Sequence, residues 1–386
     1  MPEIPGRKRR RVVAAVLALA LLLAVAATAA YVAGWWRMGS KVAGPVVVSV
    51  QPQQVWIEAG DASQSLNFDF LVENKGPTPL GIDSIEVTAW DAAGKPVLRR
   101  FIDSNGFAPS IETVHARVVA PGGKLLVFNP FHTFRPDIQL HRLTYKFSLS
   151  IPQEAPEAQA SVTVEPRVYQ TKTALSLPVK GRLLVHDGHD FYAHHRRLNT
   201  EHAAAREFGL TRNFMRYSLD LNPANEQFDP FAGTGARNED WFAWGQPLYA
   251  TGDGKVVDAV DSEPDNIRGG QNFFDPTKLK ATPMKFYGNY LVIDHGNGEF
   301  SLLGHIQKGS LAVKAGDAVT RGQPVAKIGS SGSSHNPHVH YELRTGVDLN
   351  AEGLPATFRD FLRHHGSKVV PVGASPVDTG DLLEAR

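Results

Sequence analysis

The residues with the most chemical content lie between Gly329 and Arg344. A Gly/Ser run, Gly329 to Ser334, passes through His335, Asn336 and Pro337 into His338-Val339-His340-Tyr341-Glu342-Leu343-Arg344. Glycine, serine and proline together punctuate a turn, and the alternation that starts at His338 predicts a strand. Side chains two apart on a strand face the same way. His338 and His340 therefore share one face, roughly 6 to 7 Å apart, while Val339 and Tyr341 take the other. One imidazole of such a pair can bind a metal while its neighbour stays free for a substrate. A bare His-x-His, by contrast, is most often two packed or surface histidines.

This pair is not bare. Upstream lie Gly288-Asn289-Tyr290-Leu291-Val292-Ile293-Asp294-His295-Gly296-Asn297-Gly298, then Leu303-Gly304-His305-Ile306, Val313-Lys314-Ala315-Gly316-Asp317 and Arg321-Gly322-Gln323-Pro324-Val325-Ala326-Lys327-Ile328-Gly329. In type, order and spacing these motifs resemble the lysostaphin/LytM-type zinc metallopeptidases, which cut peptide cross-links in bacterial peptidoglycan. The resemblance covers roughly the last half of the chain and not the first 170 or so residues.

The resemblance implies a zinc ion (Zn2+) held by a His, an Asp and the second His of His-x-His, with one position left open. His340 is then a ligand, and His338 and His305 are catalytic histidines outside the coordination sphere. Asp220, in Phe214-Met215-Arg216-Tyr217-Ser218-Leu219-Asp220-Leu221, is the implied aspartate, and Gly245-Gln246-Pro247-Leu248-Tyr249-Ala250 follows it as a family-like strand. The first histidine departs from the common pattern, because position 216 is Arg. Some relatives carry it further upstream in a His-Arg pair, and Ala193-His194-His195-Arg196-Arg197 supplies one. His195 is the choice, His194 the runner-up, with His186, His189 and His202 behind. Leu303 stands where the family has Tyr, which leaves a contact around the site open. His295 and His335 read as turn histidines.

The chain has 386 residues, 42% hydrophobic content, no cysteine and a formal net charge of +1. Its length suits two to three domains with real cores. Any metal must be held by His, Asp or Glu. The near-neutral charge argues against nucleic acid, whose binders carry a basic stripe. A Ser-His-Asp hydrolase is disfavoured, because the serines at 330 to 334 lie in a turn without a Gly-x-Ser-x-Gly elbow.

Arg7 to Arg11 is a basic cluster, and Val12 to Trp36 carries no charge. As a helix at about 1.5 Å per residue that run exceeds the ~30 Å hydrocarbon core. It reads as an uncleaved transmembrane anchor, with 1-11 in the cytoplasm; a cleaved signal peptide ending near Ala27-Thr28-Ala29 is the alternative. From 46 to 166, alternating runs such as Leu66, Phe68, Phe70 and Val72 predict a β-sandwich of immunoglobulin-like type, with a loop at Pro152 to Ala160. The sandwich carries no catalytic constellation and is expected to space or orient the domain beyond it, or to bind a protein partner. A boundary near 166 to 182 precedes an antiparallel β-sheet metallopeptidase domain of the duplicated-hybrid-motif type at 182-365. Residues 366-386 are expected to form a flexible tail. Asn222 to Trp241 and Asp261 to Tyr287 are insertions expected to shape a groove.

The chain thus reads as mainly β, an enzyme of the inner (cytoplasmic) membrane facing the periplasm or cell envelope and acting on peptidoglycan. Two alternatives stay open: an inactive relative that regulates a cell-wall hydrolase, and an active peptidase on an exported protein. A reporter fused after Pro45 is expected to be active only outside the cytoplasm; activity confined to the cytoplasm would contradict the orientation.

Overall fold

The computed structural model describes residues 46–151 and 156–386. The expected membrane anchor, 12 to 36, lies outside them, and among the described residues no helix is long and apolar enough to cross a membrane.

The chain is mainly β. In its first part, Val46–Gln51, Asp69–Asn74 and Lys124–Phe128 form one antiparallel sheet, and Pro156–Val164, Arg142–Ser150, Leu80–Trp90 and Pro96–Ile102 form another. Leu66, Phe68, Phe70 and Val72, all fully buried, join Ile85, Val87, Tyr145 and Phe147 in the core between them. The period-two alternation has its physical cause here, since every second side chain must leave water. Of the expected loop at Pro152 to Ala160, Pro156 onward is strand.

Residues 166 to 182 lace the two parts together. Arg167–Val168 pairs in parallel with Trp56–Ala59 of the first part. Lys172 N, Thr173 N, Thr173 Oγ1 and Tyr169 Oη then donate to the carboxylate of Glu299 at 2.6 to 2.8 Å.

The second part is built on one large sheet. Its middle runs in the order Gly254–Val260, Tyr290–Asp294, Phe300–Gly304, Val339–Arg344, Leu219–Pro223 and Gly181–Asp187, each strand antiparallel to the next. Val339, Tyr341, Leu343, Leu219, Leu221 and Leu303 point to one face and pack with Leu248, Val325 and Ile328 of the elements beneath. The other face carries His340, Glu342, Asp220 and Asn222.

The expected flexible tail, 366-386, is instead woven into this sheet. Lys368–Ser375 pairs with Phe358–His365, and Leu382–Ala385 is inserted between Gly181–Asp187 and Phe358–His365. Its short apolar run, Leu382 and Leu383, was too brief to show a period, yet Leu383 is fully buried. Leu383→Ala is expected to cost about 2–5 kcal/mol of folding stability, as for other buried leucines. Chemical denaturation checks this, and a negligible loss would show that the terminal strand is not part of the cooperative core.

Candidate metal centre

Strand pairing sets the centre. Asp220 and His340 are direct cross-strand partners, as are Gly304 and His340. Residues directly opposite on adjacent strands bring their side chains together on one face. Asp220 Oδ1 accordingly lies 3.0 Å from His340 Nδ1, 3.3 Å from His338 Nε2 and 3.4 Å from His195 Nε2. His195 comes from an irregular turn-rich segment after Gly181–Asp187 and is 1% exposed.

The outer nitrogens of the four central histidines decide what the inner ones do. His195 Nδ1 meets the Gly188 carbonyl at 3.0 Å, and His338 Nδ1 the Asn336 carbonyl at 2.7 Å. His305 Nδ1 meets the Ser331 carbonyl at 2.8 Å, and His340 Nε2 the carboxylate of Glu342 at 2.9 Å. Carbonyl and carboxylate oxygens only accept, so these nitrogens carry the protons. In the neutral rings the inner nitrogens of His195 and His340 then present lone pairs toward a carboxylate oxygen. Such a set repels itself unless a cation sits within it.

The titration behaviour agrees. Burial works to lower His340, yet its hydrogen bonds to Asp220 and Glu342 outweigh burial and raise it to about 9. Without a metal, a proton supplies the positive charge that the two carboxylates demand. Burial dominates at His195 and lowers it to about 4, so that ring is neutral. At Asp220 burial alone would raise the pKa, but the surrounding imidazoles hold it well below the usual carboxylate range. The donor set therefore fits a zinc ion. Zinc about 2.0–2.1 Å from tetrahedral ligands separates them by roughly 3.3 Å, the spacing seen around Asp220.

His305 follows directly on the strand Phe300–Gly304 and adopts φ 60, a left-handed conformation that costs a non-glycine residue about 1 kcal/mol or more. Its N–H donates to Tyr287 O and its carbonyl accepts from Gly329 N. The Gly/Ser run holds it in place, because Gly332 crosses Gly288 so closely that a Cβ on Gly332 would lie 2.2 Å from Gly288 N. Only a bare backbone passes there, and it delivers the Ser331 carbonyl to His305.

The structure sorts the histidines. His194 is 65% exposed and pairs with Asp187. His189 is buried against Glu58 and away from the centre, and exposed His202 caps the short helix Ala203–Glu207. His186 and His335 only line the groove. His295 bonds Asp253 O and Ser301 Oγ beside the core. Leu303 faces the apolar core, so the missing family tyrosine touches nothing at the centre.

Several participants escaped the sequence reading. Asp187 sits opposite Asp220 and closes a metal-capable cluster of Asp187, His194, His195 and Asp220. Glu342 accepts from Tyr287 Oη as well as His340, and Arg344 donates to both Glu342 and Tyr287. Glu342 had a signal, since it lies two residues beyond His340 on the same strand face. The groove over the centre is about 970 Å³, with apolar walls from Leu198, Phe208, Leu210, Leu279, Phe286 and Leu349. Of the two insertions only the second reaches it. Asn222 to Trp241 instead braces that loop, through Arg268 over the Trp241 ring. Most of the remaining wall comes from residues 194 to 215, where the sequence had suggested only a ligand.

Residues 239–351 match the model of Peptidase family M23, and the chain carries a domain of that family. Over 149 residues it is 32% identical to the peptidoglycan DD-endopeptidase ShyA of Vibrio cholerae serotype O1, covering 35% of this chain and 28% of that protein. Over 70 residues it is 43% identical to the murein hydrolase activator EnvC of Escherichia coli, 18% of this chain and 16% of that one. The match thus spans less than a third of the length of these curated relatives. Among solved structures, the catalytic domain of the antimicrobial peptidase lysostaphin from Staphylococcus simulans aligns with a TM-score of 0.23 at 22% identity. That alignment covers 38% of this chain and 79% of that domain.

Zinc affinity, measured by competition with a chelator, is expected to fall by more than about 100-fold in His195→Ala, beyond the effect of an outer partner. His194→Ala is expected to leave it nearly unchanged, and the reverse pattern would move the ligand by one residue. Because His340 is protonated below pH about 9 in the metal-free protein, zinc must displace a proton. Apparent affinity should therefore weaken about tenfold per pH unit as the pH falls below 9, and a flat profile would show that His340 is not protonated in the metal-free protein.

Proposed function

We propose that the protein is a membrane-anchored zinc metallo-endopeptidase that hydrolyses peptide cross-links or stem peptides of bacterial peptidoglycan. The observation that carries this reading is that His195 Nε2 and His340 Nδ1, each aimed by a second contact of its own ring, both lie against Asp220 Oδ1, with His305 and His338 beside them. The rings of His305 and His338 lie 4.8 Å apart, those of His195 and His340 5.0 Å apart. In this reading His195 and His340 hold the metal, and His338, whose Nε2 lies 3.3 Å from the same Asp220 oxygen, serves the substrate together with His305.

When bound, zinc supplies Lewis acidity, acidifying water and polarising a peptide carbonyl. The chain's own residues do the rest. Burial holds His305 well below the ordinary histidine pKa, so its ring is a neutral base at pH 7. His305 and His338 both anchor Nδ1 on backbone carbonyls. Nε2 of His305, and that of His338 once a cation takes the Asp220 oxygen it faces at 3.3 Å, can accept a proton from the attacking water and return it to the leaving amine. The same rings can donate to the oxyanion once protonated. No side chain at the centre is placed as a nucleophile, so the reaction needs no covalent intermediate. The groove's apolar walls suit an extended peptide, and the match to peptidoglycan endopeptidases supports peptidoglycan as its source.

The second reading, a regulator of another cell-wall hydrolase, draws on the likeness to an activator. Regulators of this kind have no need of a metal site, and the intact donor set favours the enzyme.

The test uses the zinc-loaded full chain on purified peptidoglycan, with products resolved by mass spectrometry. New peptide termini without new reducing sugar ends are expected. His340→Ala should lose zinc and activity together, whereas His305→Ala and His338→Ala should keep zinc and lose about 10²- to 10⁴-fold in turnover. Absence of cleavage by the zinc-loaded protein, with stimulation of a separate hydrolase, would replace the enzyme by the regulator.

A further inference from the structure

Asp220 and His340 owe their positions to paired strands, but His195 lies on neither a strand nor a helix. Other contacts must fix it, and many of them belong to the sandwich. Leu66, Phe68, Phe70 and Val72 face the sandwich core, so Asp69 faces outward from it. It is nevertheless only 1% exposed, because the second part of the chain covers it.

Its two oxygens are divided between two arginines. Asp69 Oδ1 accepts from Arg196 Nη1 at 2.5 Å, and Oδ2 from Arg216 Nη1 at 2.8 Å. Arg196 also donates to Phe68 O at 2.6 Å, and Arg216 Nε to Glu352 at 3.0 Å. Arg196 directly follows His195, and Arg216 lies in the turn that feeds the strand bearing Asp220. One sandwich carboxylate therefore reaches the backbone of both upstream donors. A second outward acid, Glu58, bonds buried His189 at 2.8 Å, next to Gly188, whose carbonyl orients His195. The ligand-bearing loop is clamped at both ends by the sandwich.

We infer that Asp69 is a positioning residue for the metal centre, and that the sandwich is a structural component of that centre rather than a spacer. The inference rests on the zinc reading of the site. Two guanidiniums and two carboxylates, Asp69 and Glu352, balance in a dry environment. Without Asp69 the guanidiniums face each other across a site with one carboxylate, and like charges at this range part or draw in water. Arg196 moves first, because Arg216 keeps the Glu352 carboxylate whereas Arg196 keeps only the neutral Phe68 carbonyl, and His195 moves with it.

The experiment compares the full chain with Asp69→Asn, which keeps shape and removes charge, and with Tyr169→Phe. Tyr169→Phe also removes a hydrogen bond across the two parts, to Glu299, but away from the loop. Circular dichroism and thermal melting report the fold, and chelator competition reports the zinc Kd. Asp69→Asn is expected to weaken zinc binding about 10- to 100-fold, the range for groups that orient ligands, and Tyr169→Phe to leave it unchanged even if both melt earlier. If Asp69→Asn melts earlier with an unchanged Kd, Asp69 is a brace only and the inference is overturned. Should Asp69→Asn fail to fold, Arg196→Lys decides in the same way, since it keeps a charge but loses the second arm to Phe68; an unchanged Kd there overturns the inference too. Wild type that fails to bind zinc would sink the zinc reading itself, and this inference with it, which separates the two failures.

Discussion

A carboxylate oxygen surrounded by imidazole lone pairs is unstable on its own, and the second part of the chain is organised to hold that arrangement together. Asp220 is buried among His195, His338 and His340 at 3.0 to 3.4 Å. Desolvation makes every unbalanced charge in such a place costly, so the site must acquire positive charge as a proton or a metal. Selection between the two is made at the outer nitrogens. Three backbone carbonyls and Glu342 keep the ring protons turned outward, which leaves lone pairs inward, suited to a metal. Arg344 and Tyr287 in turn satisfy Glu342, so the chain of donors runs outward until it meets the buried end of the strand.

That arrangement tolerates little slack, and the fold supplies rigidity from two sources. Strand register gives Asp220 opposite His340, and a slip by one residue would send both to the apolar face. Close backbone crossing gives His305, since Gly288 and Gly332 pass at a distance no Cβ permits. The terminal strand Leu382–Ala385 completes the same sheet beside Gly181–Asp187, the strand that leads into the loop bearing His195. A segment remote in sequence thereby stiffens one side of the centre.

How far the sequence could be read depends on which of these forces are local. His338, His340 and His305 were legible because a turn, a strand period and a motif order all mark them. Asp220 and His195 were legible only through family resemblance; nothing local distinguishes Asp220 from an edge charge or His195 from His194. Burial separates that last pair, at 1% against 65% side-chain exposure. The terminal strand was misjudged because four residues are too few to show a period, and pairing with two distant neighbours overrode its weak propensity. The groove wall from residues 194 to 215 was missed for a related reason: its apolar residues have no regular spacing and find each other only across irregular structure.

Asp69 marks the limit of such reading. On a strand whose alternate residues form a core, an outward acid looks like a solvated surface charge, and the partners that bury it lie over a hundred residues away. Buried ion pairs of this kind add little net stability, because desolvation consumes most of the Coulomb gain. Two apolar faces would join the sandwich to the sheet at least as firmly. What a charge quartet adds is direction: a planar guanidinium donates to a carboxylate only within a narrow range of angles. Arg196 is held at one orientation, and the peptide unit it shares with His195 is held with it. An apolar contact, which tolerates sliding, would not fix an imidazole to within the roughly 0.5 Å that a functional constellation demands.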